Sequence, residues 1–148
     1  MPSLLSALFP PDPTFTDAQL PVQTGRVVLI TGAASGIGFE TATLLYFAGA
    51  TVYIAARSQS RCDEAIGKIK DLPKPNQELK SAKGELKSLV VELSDLRSVK
   101  EAAENFLRQE SRLDVLIHNA GVMTPPKGSK DALVSGCEYR SEKKLTVA

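Results

Sequence analysis

Histidine, cysteine and net charge are all scarce in this chain, and each scarcity argues against a class of function. There is one histidine, and the two cysteines, Cys62 and Cys137, lie far apart without the spacing of a metal site. We therefore expect no metal centre and two free thiols in a reducing compartment. The formal net charge of the 148 residues is +1, and no run of five like charges occurs. No global field therefore steers the chain toward nucleic acid.

Long apolar runs are also missing. The N-terminal segment, residues 1–23, starts with an apolar stretch that ends at Pro10 and Pro11. This stretch lacks a basic start, and it is shorter than the roughly 20 apolar residues that a membrane span needs. We predict a flexible leader and a cytoplasmic protein with no integral membrane segment. Docking of the apolar arm on a protein or membrane surface is the alternative role for this segment.

From residue 24 onward, strand and helix patterns alternate, which is typical of an α/β protein with a parallel sheet. The predicted strands cover residues 26–31, 51–56, 86–93 and 113–118. Right-handed crossovers place the first two helices on one face of the sheet. If the fourth strand returns beside the first, the strand order is 3-2-1-4 and the third helix covers the other face.

Two further expectations concern burial and helix ends. The third strand should bury Leu89, Val90 and Val91, and Ser94 or Asp95 should cap the third helix. Ser58 or Ser60 should cap the second helix. The apolar stripe predicted on the third helix consists of Leu96, Val99, Ala103, Phe106 and Leu107.

The most informative stretch joins the first strand to the first helix. It reads Thr31-Gly32-Ala33-Ala34-Ser35-Gly36-Ile37-Gly38. Glycines let the backbone approach a pyrophosphate closely, and the N–H groups and dipole of a helix N-terminus favour the anion. The pattern therefore predicts a dinucleotide site beyond the carboxyl ends of strands 1 and 4. A tight turn without a ligand is the alternative. The contacts predicted in this turn are Gly32, Ala34, Ser35, Gly36 and Ile37.

The end of the second strand indicates which dinucleotide binds. A carboxylate there would bind the adenosine ribose 2′-hydroxyl and repel a 2′-phosphate. This sequence has Ala56, Arg57 and Ser58 instead. The guanidinium can pair with a phosphate, and the hydroxyl can add a hydrogen bond. We therefore predict NADP in preference to NAD, with a solubilising surface arginine as the alternative.

Two motifs, in register, give the chain a resemblance to the short-chain dehydrogenase/reductase family. The family's T-G-x-x-x-G-x-G motif matches residues 31–38, and its N-N-A-G motif matches residues 118–121. The resemblance covers about residues 25–128, and residues 52–58 are most similar to the retinol dehydrogenase-like members. It implies a partial Rossmann fold over residues 24–128 and a nicotinamide dinucleotide. The parent reaction would be alcohol oxidation or carbonyl reduction, with an unknown substrate.

The resemblance also assigns roles at the ends of strands 3 and 4. Glu92 occupies the position of a family aspartate that accepts a hydrogen bond from the adenine amino group, and Leu93 follows it. Asn119 would steady the central sheet, while the Ala120 and Gly121 backbone would lie against the cofactor. His118 replaces the family's first asparagine. With no acid or nucleophile beside it in the pattern, a structural or adenosine contact is favoured over acid–base chemistry.

The family's catalytic residues have no convincing match. The family uses a tyrosine, a lysine four residues later and an earlier serine, all after a fifth strand. Tyr139 and Lys143 have this spacing, but they follow Gly121 by only a short loop, and no serine lies a dozen residues before Tyr139. We interpret the pair as a chance match and predict no catalytic residue.

The last part of the chain also departs from the family. Residues 129–148 form an atypical tail that we expect to be disordered or weakly structured, and the second half of the sheet and the family's usual dimer helices are missing. We predict an NADP-binding fragment without turnover. The alternatives are a non-catalytic nucleotide-binding or interaction module, or an unstable truncated gene product.

Overall fold

The computed structural model describes residue 16 and residues 19–73 and 84–121. The predicted tail, with Tyr139 and Lys143, and most of the predicted leader lie outside the described residues. The elements in chain order are β1 (Val27–Thr31), α1 (Gly36–Phe47), β2 (Thr51–Ala56), α2 (Gln59–Asp71), β3 (Glu85–Val90), α3 (Leu96–Gln109) and β4 (Val115–Ile117).

The four strands form one parallel sheet in the order β3-β2-β1-β4, as predicted. Thr31 at the end of β1 lies opposite Ala55, and Ala56 at the end of β2 lies opposite Val90. The carboxyl ends of β1, β2 and β3 therefore meet at one edge of the sheet. In an open parallel sheet this edge is where ligands bind.

Helices cover both faces of the sheet, as predicted. β1 and β2 are apolar along their whole length because they are buried on both faces. One core cluster joins α1 and α2 to the sheet and is centred on Phe47, Ile54 and Ile69. The other lies under α3, where the rings of Tyr53 and Phe106 pack edge to face with centroids 4.9 Å apart.

The predicted extent of β3 was wrong, and so was the predicted burial of one of the three residues, Val90, while Leu89 and Val91 are buried as predicted. The strand ends at Val90 rather than Leu93, and Val90 is 42% exposed while Leu86, Leu89 and Val91 are buried. Successive side chains of a strand point to opposite faces, so Val90 shares the face of Leu86 rather than that of Leu89 and Val91. As the last residue of β3, it lies at the end of that face and stays exposed. β4 is also shorter than predicted, covering only Val115–Ile117.

The predicted stripe on α3 was wrong in part. Ala102 and Phe106 are buried, whereas Leu96, Ala103 and Leu107 are exposed. Each residue of a helix is rotated by about 100° from the one before, so the positions next to Ala102 and Phe106 turn away from the sheet.

The helix starts differ in how they are capped. Asp95 caps α3, as one of the two predicted alternatives, because its carboxylate accepts a hydrogen bond from the Arg97 N–H at 2.9 Å. Ser58 precedes α2 but makes no side-chain capping bond, and Ser60 lies inside the helix. Ser58 therefore occupies the predicted N-cap position of α2, but the capping hydrogen bond expected from its side chain is not formed.

Candidate dinucleotide site

Two glycines in the turn after β1 have backbone angles that other residues rarely adopt. The φ angles are +67° at Gly32 and +58° at Gly36. A Cβ atom on Gly32 would lie 3.0 Å from the Ala120 Cα atom, so the turn also needs glycine for close packing. A Cβ atom on Gly36 would meet no described atom within 4 Å. The backbone at Gly36 therefore borders open space at the start of α1.

The N-terminus of α1 is free to receive an anion. Ser35 is exposed and extended, and its side chain makes no capping hydrogen bond. No acidic side chain stands in the first turn. The first N–H groups of a helix have no partner within the helix, and its dipole places partial positive charge at this end. Ile37, in the same turn, is 80% exposed, and Ala34 is half-buried.

A set of hydrogen bonds ties the segment after β4 to this turn. The Thr31 hydroxyl oxygen accepts from the backbone N–H groups of Asn119 and Ala120, each at 3.1 Å. The Asn119 side-chain amide donates to the carbonyl oxygens of Thr31 at 3.1 Å and Gly32 at 3.3 Å. These bonds hold the Asn119-Ala120-Gly121 backbone beside the turn. Sequence reasoning missed the hydroxyl of Thr31, although its place before the first glycine of the motif was a usable signal.

Arg57 and Ser58 stand at the end of β2, on the same edge of the sheet. Arg57 is exposed and Ser58 is half-buried, with its hydroxyl 3.2 Å from that of Ser60. Ala56, directly before them, carries no charge. The end of β2 therefore presents a cation and a hydroxyl to any ligand in the crevice.

Glu92 is the acidic group that follows β3 at this edge. Its Oε1 atom accepts hydrogen bonds from the Ser94 N–H at 3.1 Å and the Ser94 hydroxyl at 2.9 Å. These bonds, and more weakly the positive charge of Arg57, hold the pKa of the Glu92 carboxyl below its usual value. Glu92 is therefore an ionised acceptor at neutral pH. Leu93, beside it, is exposed.

The predicted contact residues thus follow the carboxyl ends of β1 to β4, at one edge of the sheet. His118 is exposed directly after β4. Across the residues that the structure describes, no group of three or more His, Cys, Asp or Glu side chains could hold a metal ion. No helix among them is long and apolar enough to cross a bilayer.

The groups at this edge of the sheet are of the kinds that could hold a dinucleotide. The uncapped start of α1 and the bare backbone at Gly36 suit a pyrophosphate. The Arg57 guanidinium suits a second phosphate, and the Glu92 carboxylate suits an amino group.

Comparison with known proteins is consistent with this geometry. The family model for short chain dehydrogenases matches residues 26–135. A short-chain dehydrogenase/reductase of Emericella nidulans is 44% identical over 117 residues, which cover 79% of this chain and 36% of that protein. The chain therefore spans little more than a third of the length of this relative.

Two solved structures are also similar to this chain in both sequence and fold. The Pseudomonas aeruginosa RhlG/NADP active-site complex is 30% identical with a TM-score of 0.56, and the match covers 67% of this chain and 36% of that one. A metagenomic short-chain oxidoreductase in complex with NADP is 32% identical with a TM-score of 0.57, and the match covers 68% of this chain and 41% of that one.

Proposed function

Because the chain belongs to the short-chain dehydrogenase family, we propose that its described residues form the adenosine-phosphate half of an NADP site. The observation that carries the proposal is the shared edge of the sheet. The open backbone at Gly36 and the uncapped start of α1 lie on the same edge as the exposed Arg57. The two solved relatives described above both hold NADP, which supports the choice of ligand.

The turn after β1 binds the pyrophosphate in this proposal. Gly32 and Gly36 supply backbone that no side chain shields, and Ala34, Ser35 and Ile37 supply the surrounding main chain. The N–H groups at the start of α1 donate to the phosphate oxygens, and the helix dipole favours their charge.

Arg57 and Ser58 select the 2′-phosphate. The guanidinium forms a charge-assisted pair with the phosphate, and the Ser58 hydroxyl adds a donor. With alanine at position 56, no carboxylate repels the phosphate or binds a free 2′-hydroxyl. The site therefore prefers NADP to NAD.

The ends of β3 and β4 bind the remaining parts of the adenosine half. Glu92 accepts a hydrogen bond from the adenine amino group, and the exposed Leu93 packs against the base. The backbone of Asn119, Ala120 and Gly121 lies against the cofactor, where the Thr31 hydrogen bonds hold it.

The parent activity in this proposal is the oxidation of an alcohol or the reduction of a carbonyl compound. Bound NADP supplies the hydride acceptor, or in its reduced form the donor, for that reaction. Among the described residues, neither Tyr46 nor Tyr53 is followed four residues later by a lysine. We include in the proposal that the 148-residue chain binds the cofactor without turnover, because we interpret Tyr139 and Lys143 as a chance match. A cytoplasmic location belongs to the same proposal, and the buried free thiol of Cys62 is compatible with it.

Calorimetric titration of the chain with NADP, NAD and 2′,5′-ADP tests the proposal. NADP should bind about tenfold or more tightly than NAD, the scale of a charge-assisted hydrogen bond. The ligand 2′,5′-ADP should bind nearly as tightly as NADP, because only the adenosine half of the site is present. Replacing Ala56→Asp together with Arg57→Leu should reverse the preference toward NAD.

Arg108→Leu is the matched control. This exposed arginine lies in the last turn of α3, at the opposite edge of the sheet. Its loss should leave the ratio of the two affinities unchanged. Equal affinity of the unaltered chain for NAD and NADP, or an equal effect of Arg108→Leu, would contradict the role of Arg57. Much tighter binding of NADP than of 2′,5′-ADP would contradict the half-site.

A further inference from the structure

Glu92 is held more firmly than an exposed glutamate would be on its own. Both the N–H and the hydroxyl of Ser94 donate to the same carboxylate oxygen, Oε1, at 3.1 and 2.9 Å. The Glu92 N–H in turn donates to the Ser98 hydroxyl oxygen at 2.9 Å. These hydrogen bonds therefore fix both the backbone and the side chain of Glu92. They offset the extra rotatable bond that a glutamate has over the aspartate found at this position in the family.

The two carboxylate oxygens of Glu92 have different surroundings. Ser94 occupies Oε1, whereas Oε2 accepts no hydrogen bond from the described part of the chain. An ionised carboxylate only accepts hydrogen bonds. Glu92 thus offers one oriented acceptor oxygen at the edge of the sheet where Arg57 also stands.

From this pair of hydrogen bonds we infer that Ser94 is a positioning residue that gives the site its preference for adenine over hypoxanthine. The inference rests on the proposed function, because it requires the base to bind beside Glu92. Adenine carries an amino group where hypoxanthine carries a carbonyl oxygen. A fixed Oε2 atom accepts a hydrogen bond from the amino group and repels the carbonyl oxygen. A mobile carboxylate could move from the carbonyl oxygen to the N1–H of hypoxanthine and so tolerate both bases.

The test compares NADP with its hypoxanthine counterpart, which has a carbonyl oxygen in place of the amino group and a proton on the neighbouring ring nitrogen N1. The unaltered chain should bind NADP about tenfold or more tightly, because a buried or oriented acceptor discriminates strongly against a ligand without the matching donor. Ser94→Ala should reduce this ratio by about threefold or more, by loss of one hydrogen bond to a charged group. Ser94→Thr keeps a hydroxyl and should restore the ratio.

Two further variants separate positioning from general damage to the fold. Ser88→Ala removes a half-buried hydroxyl of β3 that accepts a hydrogen bond from Gln59 and does not touch Glu92. It should leave the ratio unchanged. In a Glu92→Gln background, Ser94→Ala should change the ratio no further, since Ser94 acts through the carboxylate.

The possible results distinguish this inference from the proposed function. An unchanged ratio in Ser94→Ala, or the same loss in Ser88→Ala, overturns the positioning role while NADP binding stands. A further loss from Ser94→Ala in the Glu92→Gln background also overturns it. If neither dinucleotide binds the unaltered chain, the proposed function itself is wrong.

Discussion

At Gly38 the first turn of α1 packs so closely on the segment after β4 that no side chain fits. A Cβ atom there would lie 2.5 Å from the side-chain amide nitrogen (Nδ2) of Asn119 and 2.7 Å from the Gly32 carbonyl oxygen. Gly38→Ala must therefore push apart the two segments that border the proposed site. We expect this variant to lose NADP binding and to lower the free energy of unfolding by about 1–3 kcal/mol, the usual cost of overpacking. Titration and urea unfolding measure the two effects.

Gly67→Ala is the control for this prediction. Gly67 lies inside α2, and a Cβ atom there would meet nothing described within 4 Å. Alanine should stabilise the helix by about 0.5–1 kcal/mol and leave binding unchanged. If Gly38→Ala behaves like Gly67→Ala, the close packing at Asn119 has no energetic importance.

The contrast between Gly38 and Thr31 shows what the sequence could predict for single residues. Spaced glycines between a strand and a helix point to a phosphate-binding turn, because few other structures need that pattern. The hydroxyl of Thr31 acts across 88 positions of the sequence, on the N–H of Asn119. The position of Thr31 in the motif could mark its hydroxyl as a candidate, but the N–H groups that it binds are known only from the structure.

On the scale of elements, a charged cluster fastens the end of α3 to β2 and β3. Glu110 follows α3 directly, and its Oε1 atom accepts from the Tyr53 hydroxyl at 2.9 Å and the Lys87 ammonium at 2.7 Å. The bond from Lys87, and then that from Tyr53, hold the pKa of Glu110 below its ordinary value. Burial, and next the bond to Glu110, raise the pKa of Tyr53 to about 12.

This cluster predicts a pH dependence of stability. The folded chain keeps Glu110 ionised at a lower pH than the unfolded chain, so its contribution is complete above the ordinary pKa of 4.5 and is lost as the pH falls through the folded value. Glu110→Gln should therefore lower the free energy of unfolding at pH 7 by about 1–3 kcal/mol. The difference from the unaltered chain should shrink below pH 4.5. Urea unfolding of both proteins at about pH 7, 5 and 3.5 measures this difference in the free energy of unfolding.

Glu64→Gln is the matched change at an exposed ion pair. Glu64 pairs with Lys68 at 2.6 Å on the surface of α2, where solvent screens the charges. Its replacement should leave the urea midpoint unchanged at each pH. Equal effects of the two variants would mean that the cluster around Glu110 adds nothing beyond a surface pair.

The sequence predicted the type and order of the strands and helices better than it predicted which of their residues are buried. β1 and β2 are buried on both faces, so their composition alone marked them as strands. β3 and α3 each have an exposed side, and there an apolar residue does not identify the core face. The sequence predicts Val90 and Leu107 in the core by their apolar character. Val90 is exposed as the last residue of β3, and the helical rotation turns Leu107 away from the sheet.

At the scale of the whole molecule, β4 forms one edge of the sheet among the described residues, and exposed leucines lie on β4 and on α3. β4 pairs with β1 on one side, and no strand pairs with its other side among the described residues. Leu116 on this strand is 45% exposed, and Leu107 on α3 is 70% exposed. An open strand edge with apolar neighbours favours pairing with another chain, because its N–H and C=O groups are unsatisfied there.

We therefore expect the 148-residue chain to self-associate as its concentration rises. Replacing Leu107→Lys and Leu116→Lys should keep it monomeric in sedimentation experiments, with little change in the urea midpoint, because neither side chain is fully buried. Gln109→Lys with Ser111→Lys adds the same charge at exposed polar positions and should not prevent association. If both double-lysine variants suppressed self-association equally, the effect would come from net charge rather than from the leucines. A monomeric unaltered chain at high concentration would show that the edge and its leucines are not available for pairing.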